Sequence, residues 1–257
     1  PSRGRCRMNY AIIAAGGTGR RMGGARPKQF LELGGEPIIV HTLRRFDACE
    51  MIDAIVVAAP SEDVAALLEL AGRAGIRKLE RVVPGGAERQ ESVARALSAI
   101  RPESAGVVAV HDAVRPFVTS AEIADVVAAA TRTGAAILAV PSSDTIKIVD
   151  GSVVVRTIER GTVMLAQTPQ AFQFEVLRRA HARAAAEGWT VTDDASLVEQ
   201  DCGTVTVVPG TPRNIKITHP DDLALAELMY EEEFGRSHAR GRAREPRARS
   251  RRQRGVL

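Results

Sequence analysis

With 257 residues, 45% of them hydrophobic and 26% charged, the chain is long enough to bury one sizeable core without disulfide or metal staples, and no apolar run approaches the roughly 18 residues that span a bilayer. The net charge of +4 misleads, because residues 235–257 hold nine arginines against one acid, Glu245, and leave the preceding 234 residues at −4. That basic tail has almost nothing to bury and is expected to be disordered.

The first eight residues are basic without an apolar signal core and read as an N-terminal extension. Residues 11–14 read as a buried strand running into Ala15-Gly16-Gly17-Thr18-Gly19-Arg20-Arg21, with Pro27-Lys28-Gln29-Phe30 shortly after. Glycines leave backbone N–H groups uncovered, able to donate to phosphate oxygens. Arg21 and Lys28 add two cations to the same loop, which suits a polyphosphate and a reaction at phosphorus. A dinucleotide fingerprint fails because Met22 stands where a third glycine belongs. A P-loop fails because Lys28 lies between Pro27 and Gln29.

Further along, Pro37 opens a helix, and residues 55–59 form a short apolar run of the kind buried on both sheet faces. Ser61 is placed to cap a helix whose Val64, Leu67, Leu68 and Ala71 share one side. Residues 79–83 read as a strand ending at Pro84-Gly85-Gly86, followed by a helix over 88–100 and a strand over 107–110 that delivers His111-Asp112. Thr119 or Ser120 caps the next helix, Gly134 stops it, and residues 136–140 make another strand. This alternation implies an α/β fold with a mainly parallel, Rossmann-like sheet covered by helices on both faces. An inserted β-hairpin breaks the rhythm at 145–158, turning at Asp150-Gly151, and reads as an arm over about 142–162 able to pack on a partner subunit. Helices over 174–187 and 220–233 and short strands over 205–208 and 215–218 complete the body.

Ligands of open parallel sheets bind beyond the carboxyl ends of the strands. That rule gathers the Gly17–Lys28 loop, Gly86 with Ser92, His111-Asp112 with Arg115, and Asp144-Thr145. Arg160, Thr168, Thr192-Asp193 and Lys216 lie in later loops or strand ends. The set has no convincing nucleophile, and His111, without a serine or cysteine partner, reads as a histidine satisfying the core. Asp112 reads either as a turn cap or as a carboxylate near Mg²⁺, which otherwise takes waters and substrate phosphates. Cys6, Cys49 and Cys202 are odd in number and lack metal-ligand spacing. Free thiols in a reducing cytoplasm are expected.

Six separated motifs then occur in order: Gly17-Thr18-Gly19-Arg20-Arg21-Met22 with Pro27-Lys28-Gln29-Phe30; His111-Asp112-Ala113-Val114-Arg115-Pro116; Asp144-Thr145-Ile146-Lys147; Gln167-Thr168-Pro169-Gln170; Thr192-Asp193-Asp194-Ala195-Ser196; and Asn214-Ile215-Lys216-Ile217-Thr218. Over residues 9–234 the chain resembles the 2-C-methyl-D-erythritol 4-phosphate cytidylyltransferases of the non-mevalonate isoprenoid pathway. The resemblance implies attack of a sugar-alcohol phosphate on the α-phosphorus of CTP, with Mg²⁺ carried by the triphosphate and a homodimer formed through the arm. It assigns charge stabilisation to Arg21 and Lys28. It gives the nucleotide to Ala15, Gly16, Gly17, Gly19, Gly86, Ser92 and Asp112, the last being the residue read above as the carboxylate near the metal. Arg115, Thr145, Thr168, Thr192, Arg160 and Lys216 position the acceptor, with Thr145 and Arg160 serving the partner's site.

Two positions depart from that pattern, Gly16 for alanine and Ala87 for aspartate. The nucleotide half also resembles ribitol-5-phosphate cytidylyltransferase, whereas Ile158-Glu159-Arg160 and Thr192–Glu199 favour the methylerythritol enzymes. A nucleic-acid-binding protein acting through the arginine tail is the reading from another class. The net acidic body and 4% aromatic content argue against it.

Overall fold

The computed structural model describes residues 7–16 and 27–235. Gly17, Gly19 and Arg21, the N-terminal extension up to residue 6 and the arginine tail therefore lie outside the described residues. The elements run β1 (Met8–Ala14), β2 (Glu32–Leu33), β3 (Glu36–Pro37), α1 (Ile38–Ala48), β4 (Ala54–Ala59), α2 (Val64–Arg73), β5 (Leu79–Pro84), α3 (Arg89–Ser98) and β6 (Ala105–Asp112). They continue with α4 (Ser120–Thr133), β7 (Ala135–Pro141), β8 (Lys147–Asp150), β9 (Val153–Thr157), β10 (Met164–Gln173), α5 (Phe174–Glu187), α6 (Asp194–Gln200), β11 (Thr206–Pro209) and α7 (Pro220–Tyr230).

Seven strands form the central sheet in the order β11-β7-β10-β6-β1-β4-β5. Every pairing is parallel except those of β10, which runs antiparallel to both β6 and β7. The expected mainly parallel sheet is thus present, with one reversed strand in its interior. Alternation splits each buried strand between two cores. Ala11 and Ile13 of β1 pack with Ile39, Leu43 and Phe46 of α1 and with Val126 and Val127 of α4. Tyr10 and Ile12 face the other way, toward Val93 and Leu97 of α3, Leu177 of α5 and Leu197 of α6. Both faces are covered, which is why β4 is buried at every position. A third cluster joins Leu33, Ile38, Val114, Phe117, Ile217 and Met229 across one end of the sheet.

Local signals explain the helix ends. Thr119 and Glu122 make a reciprocal capping box at the start of α4, and Gly134 ends it at φ 94°. Asp193 caps α6, its side chain accepting from the Ser196 N–H. Three expectations need correction. Ser61 does not cap α2: it opens a single 3₁₀ turn over Ser61–Asp63, and Asp63, at the helix boundary, makes no side-chain cap bond. Among the described residues, 215–218 pair with no strand; Ile217 instead donates its N–H to Val114 O at 3.0 Å and is buried in the third cluster. Finally, β10 and α6 fall where the periodicity gave only motifs. Pro169 argues against a central strand, and the ladder accommodates it by a register shift between Ala166 and Gln170.

Candidate active site

The carboxyl ends of β1 and β6, the start of α3 and the extended Ile215–Thr218 segment enclose a cleft of about 400 Å³. Its walls include Ala15, Gly16, Lys28, Gln29, Arg89, Ser92, Asp112 and Lys216. The sequence singled out six of these eight.

One wall is backbone and small side chains. Buried Gln29 donates from Nε2 to Ala15 O at 2.8 Å, tying the Lys28 turn to the end of β1. Ser92 Oγ accepts the Gly86 N–H at 3.0 Å and lies 3.0 Å from Glu88 O, folding the glycine turn onto α3. A Cβ at Gly85 would stand 2.8 Å from Ser92 Oγ and one at Gly16 3.2 Å from it. The close approach of the two loops therefore depends on glycine at 85, and at 16 an alanine would fit only with a small shift. The Gly86 amide is already committed to Ser92 and reaches no further.

The opposite wall centres on Asp112. Its Oδ1 accepts from Arg89 Nε at 3.2 Å, and its Oδ2 lies 2.8 Å from Lys216 Nζ and 3.6 Å from Arg115 Nε. Burial alone would raise its pKa, but Arg89, Lys216 and Arg115 together hold the carboxyl well below the usual carboxylate range. Arg115 Nη1 donates to Asn214 O at 2.7 Å, and Asn214 Nδ2 donates to Thr168 O at 2.8 Å. One network thus fastens the end of β6 to the segment carrying Lys216.

Beneath it runs a relay through His111. The Asp112 N–H donates to Thr168 Oγ1 at 3.1 Å, Thr168 Oγ1 lies 3.0 Å from His111 Nδ1, and His111 Nε2 lies 3.1 Å from Arg115 O. A carbonyl can only accept, so Nε2 carries the proton, Nδ1 accepts, and the Thr168 hydroxyl donates to it. Full burial pushes the His111 pKa down to about 4. His111 is therefore the core-satisfying histidine that the sequence suggested, and it props the Asp112–Arg115 turn from below.

The structure does not bring every expected residue to the cleft. Thr168 is buried with its hydroxyl engaged on both sides. Thr192 is exposed, two residues ahead of α6. Thr145 and Arg160 sit exposed at the base of the arm, where Arg160 Nη1 donates to Ser143 O at 3.1 Å. Conversely, sequence reasoning missed Arg89, Gln29, Asn214 and the buried Asp194. The available signal was position: Arg89 opens a helix directly behind Gly85-Gly86, and Asn214 and Asp194 stand inside motifs noted for their neighbours.

Among the described residues no three His, Cys, Asp or Glu side chains come together as a metal cage. Among the described residues only two acidic residues, Asp112 and Glu88, line the cleft, which fits a hard ion that keeps most of its ligands on waters and phosphates and does not fit a protein-held metal. Cys49 and Cys202 are free thiols, and among the described residues no helix is long and apolar enough to cross a membrane.

Comparison with known proteins adds a second line. The family model for 2-C-methyl-D-erythritol 4-phosphate cytidylyltransferase matches residues 9–232. A protein of that name from Symbiobacterium thermophilum is 50% identical over 226 residues, covering 86% of this chain and 92% of the relative. Another from Acidobacterium capsulatum is 44% identical over 236 residues, covering 88% and 99%. The crystal structure of 4-diphosphocytidyl-2C-methyl-D-erythritol synthase from Anaerococcus prevotii superposes with a TM-score of 0.79 at 30% identity, covering 88% of this chain and 96% of that one. The Thermus thermophilus cytidylyltransferase structure does so at 0.68 and 35%, covering 86% and 98%.

Proposed function

The chain belongs to the 2-C-methyl-D-erythritol 4-phosphate cytidylyltransferase family and is a nucleotidyltransferase, and from that premise we propose how the Asp112 cleft carries out the transfer. The reaction moves CMP from CTP to 2-C-methyl-D-erythritol 4-phosphate in isoprenoid precursor synthesis. An oxygen of the acceptor phosphate bonds to the α-phosphorus of CTP, the bond from that phosphorus to the bridging oxygen breaks, and pyrophosphate leaves. Such a displacement needs alignment and charge neutralisation more than a protein nucleophile, which is what the cleft offers.

The observation that carries this reading is the convergence of Ala15, Gly16, Lys28, Ser92, Asp112 and Lys216 on one cleft. The small residues at 15 and 16 with Ser92, which the Gly86 amide holds in place, receive the cytidine. Lys28, joined by Arg21, neutralises charge as it shifts from the α-phosphate toward the leaving pyrophosphate. Lys216, held by Asp112 until substrate arrives, takes the acceptor phosphate, and Arg115 keeps that segment in place. Magnesium bound by the triphosphate would spread its negative charge, with Asp112 the carboxylate placed to approach it.

The arm completes the assignment. Val149, Val153, Val154 and Val155 are 54–66% exposed on β8 and β9, an uncovered apolar surface of the kind that marks an interface. A second copy covers it, and Thr145 and Arg160, which are not among the described lining residues of their own cleft, then serve the acceptor in the partner's. Pyrophosphate release with CTP, offering methylerythritol phosphate and ribitol phosphate in parallel, tests the acceptor. A higher kcat/KM for ribitol phosphate would overturn it.

A further inference from the structure

We propose that Arg89 is a positioning residue that couples the two halves of the cleft, holding Asp112 and Asp194 together so that Lys216 is presented to the acceptor phosphate. The inference rests on the assignment of Lys216 and the Thr192 segment to the acceptor.

Arg89 is the first residue of α3, on the nucleotide side, yet both its bonds point to the other side. Its Nε donates to Asp112 Oδ1 at 3.2 Å and its Nη1 to Asp194 Oδ2 at 2.6 Å. Asp194 is 1% exposed, opens α6 immediately after Thr192-Asp193, and has its other oxygen 3.2 Å from His181 Nε2. Two buried carboxylates from separate elements therefore share one guanidinium. Only a planar fork spans both at once; an ammonium is a single point of charge.

The sharing sets what is left for Lys216. With Oδ1 taken by Arg89, Asp112 offers Lys216 one oxygen, which Arg115 also approaches. Without Arg89, the buried Asp112 charge falls on Lys216 and is held there, because an unpaired buried carboxylate is costly. Asp194 loses its fork, and the Thr192–Asp194 segment loses its tie to β6. Both effects strike acceptor binding. Ala15, Gly16 and Ser92, which face the cytidine, make no bond to Arg89. A residue on the nucleotide-side helix should thus govern the KM of the other substrate.

Steady-state pyrophosphate release by the full chain tests this, using Arg89→Gln, Arg89→Lys, Arg89→Gln with Asp194→Asn, and Lys216→Ala. Arg89→Gln raises the methylerythritol phosphate KM on the order of tenfold or more, the scale of losing charge-assisted hydrogen bonds, with the CTP KM within about twofold. Arg89→Lys fails to rescue it. The double variant removes the carboxylate that Arg89→Gln strands, so it recovers the melting temperature while keeping the raised acceptor KM. Three results would overturn the proposal: unchanged acceptor KM in Arg89→Gln, recovery of both properties in the double variant, or a rise confined to the CTP KM. The last would assign the nucleotide to Arg89 Nη2, which is buried and has no hydrogen-bond partner among the described residues. Lys216→Ala separates the premise: an unchanged acceptor KM there removes Lys216 from the acceptor and the proposal with it. A raised KM there beside wild-type kinetics in Arg89→Gln removes Arg89 alone.

Discussion

Thr168→Val replaces a hydroxyl by a methyl of nearly the same shape, at a position where the hydroxyl both accepts from the Asp112 N–H and donates to His111 Nδ1. The side chain is 5% exposed, so water does not replace it. Each stranded buried polar group costs about 1–3 kcal/mol, which sums to about 2–6 kcal/mol for the pair. Against a total stability of roughly 5–15 kcal/mol for a domain, that is a large loss. Urea unfolding at neutral pH should show it as a lower midpoint at unchanged slope. Thr168→Ser keeps the hydroxyl and removes one methyl, so it should lose only about 1 kcal/mol. A Thr168→Val protein within about 0.5 kcal/mol of wild type, altered only in its acceptor KM, would refute the relay and give the hydroxyl to the substrate.

His111 should make the fold acid-sensitive. Above its ordinary pKa of 6.5 the ring is neutral in both states and stability is full. Below that the unfolded chain takes up a proton that the folded chain, with its pKa near 4, refuses. About 2 kcal/mol should therefore be lost by pH 5, and His111→Gln should flatten that slope in melts between pH 7 and 5. Lys28→Ala should lower kcat on the order of 10²–10³ with a much smaller change in the CTP KM, the signature of charge stabilised in the transition state. A loss expressed only in KM would make Lys28 a ground-state clamp. If the arm exchanges, mixing Arg160→Ala with Lys28→Ala subunits should recover up to about a quarter of wild-type activity, since random exchange makes half the dimers mixed, with one intact site of two. Mixed dimers shown to be present yet inactive would return Arg160 to its own chain's site.

What the sequence made legible follows from how each signal arises. Short runs buried on both faces, such as Ala54–Ala59, announce themselves by composition, and glycines before a helix mark a turn wherever they fall. The cleft's small and charged residues were found because ligand sites lie beyond strand ends. β10 escaped because its polar Gln167-Thr168-Pro169-Gln170 centre is buried through side-chain hydrogen bonds rather than apolar packing, so neither alternation nor an apolar run survives there. Arg89 escaped for a related reason. A lone arginine at a helix start has the pattern of a solvated cation, and only tertiary structure reveals the two carboxylates, 23 and 105 residues away, that it joins.

The reversed strand also bears on how the chain comes to be folded. β6, buried at almost every position, lies between β1 and β10, and Val110 meets its β10 partner Gln170 only across a long stretch of chain. Pairings of such separation must close large loops before they gain contacts, which slows folding. While the N-terminal strands β1, β4, β5 and β6 have emerged from the ribosome and β10 has not, β6 is an apolar edge with its amides and carbonyls open. Edges of that kind recruit other chains. During synthesis, then, the unfinished protein is at its stickiest along the strand that will later carry Asp112, and it stays so until the polypeptide past the arm arrives to cover it.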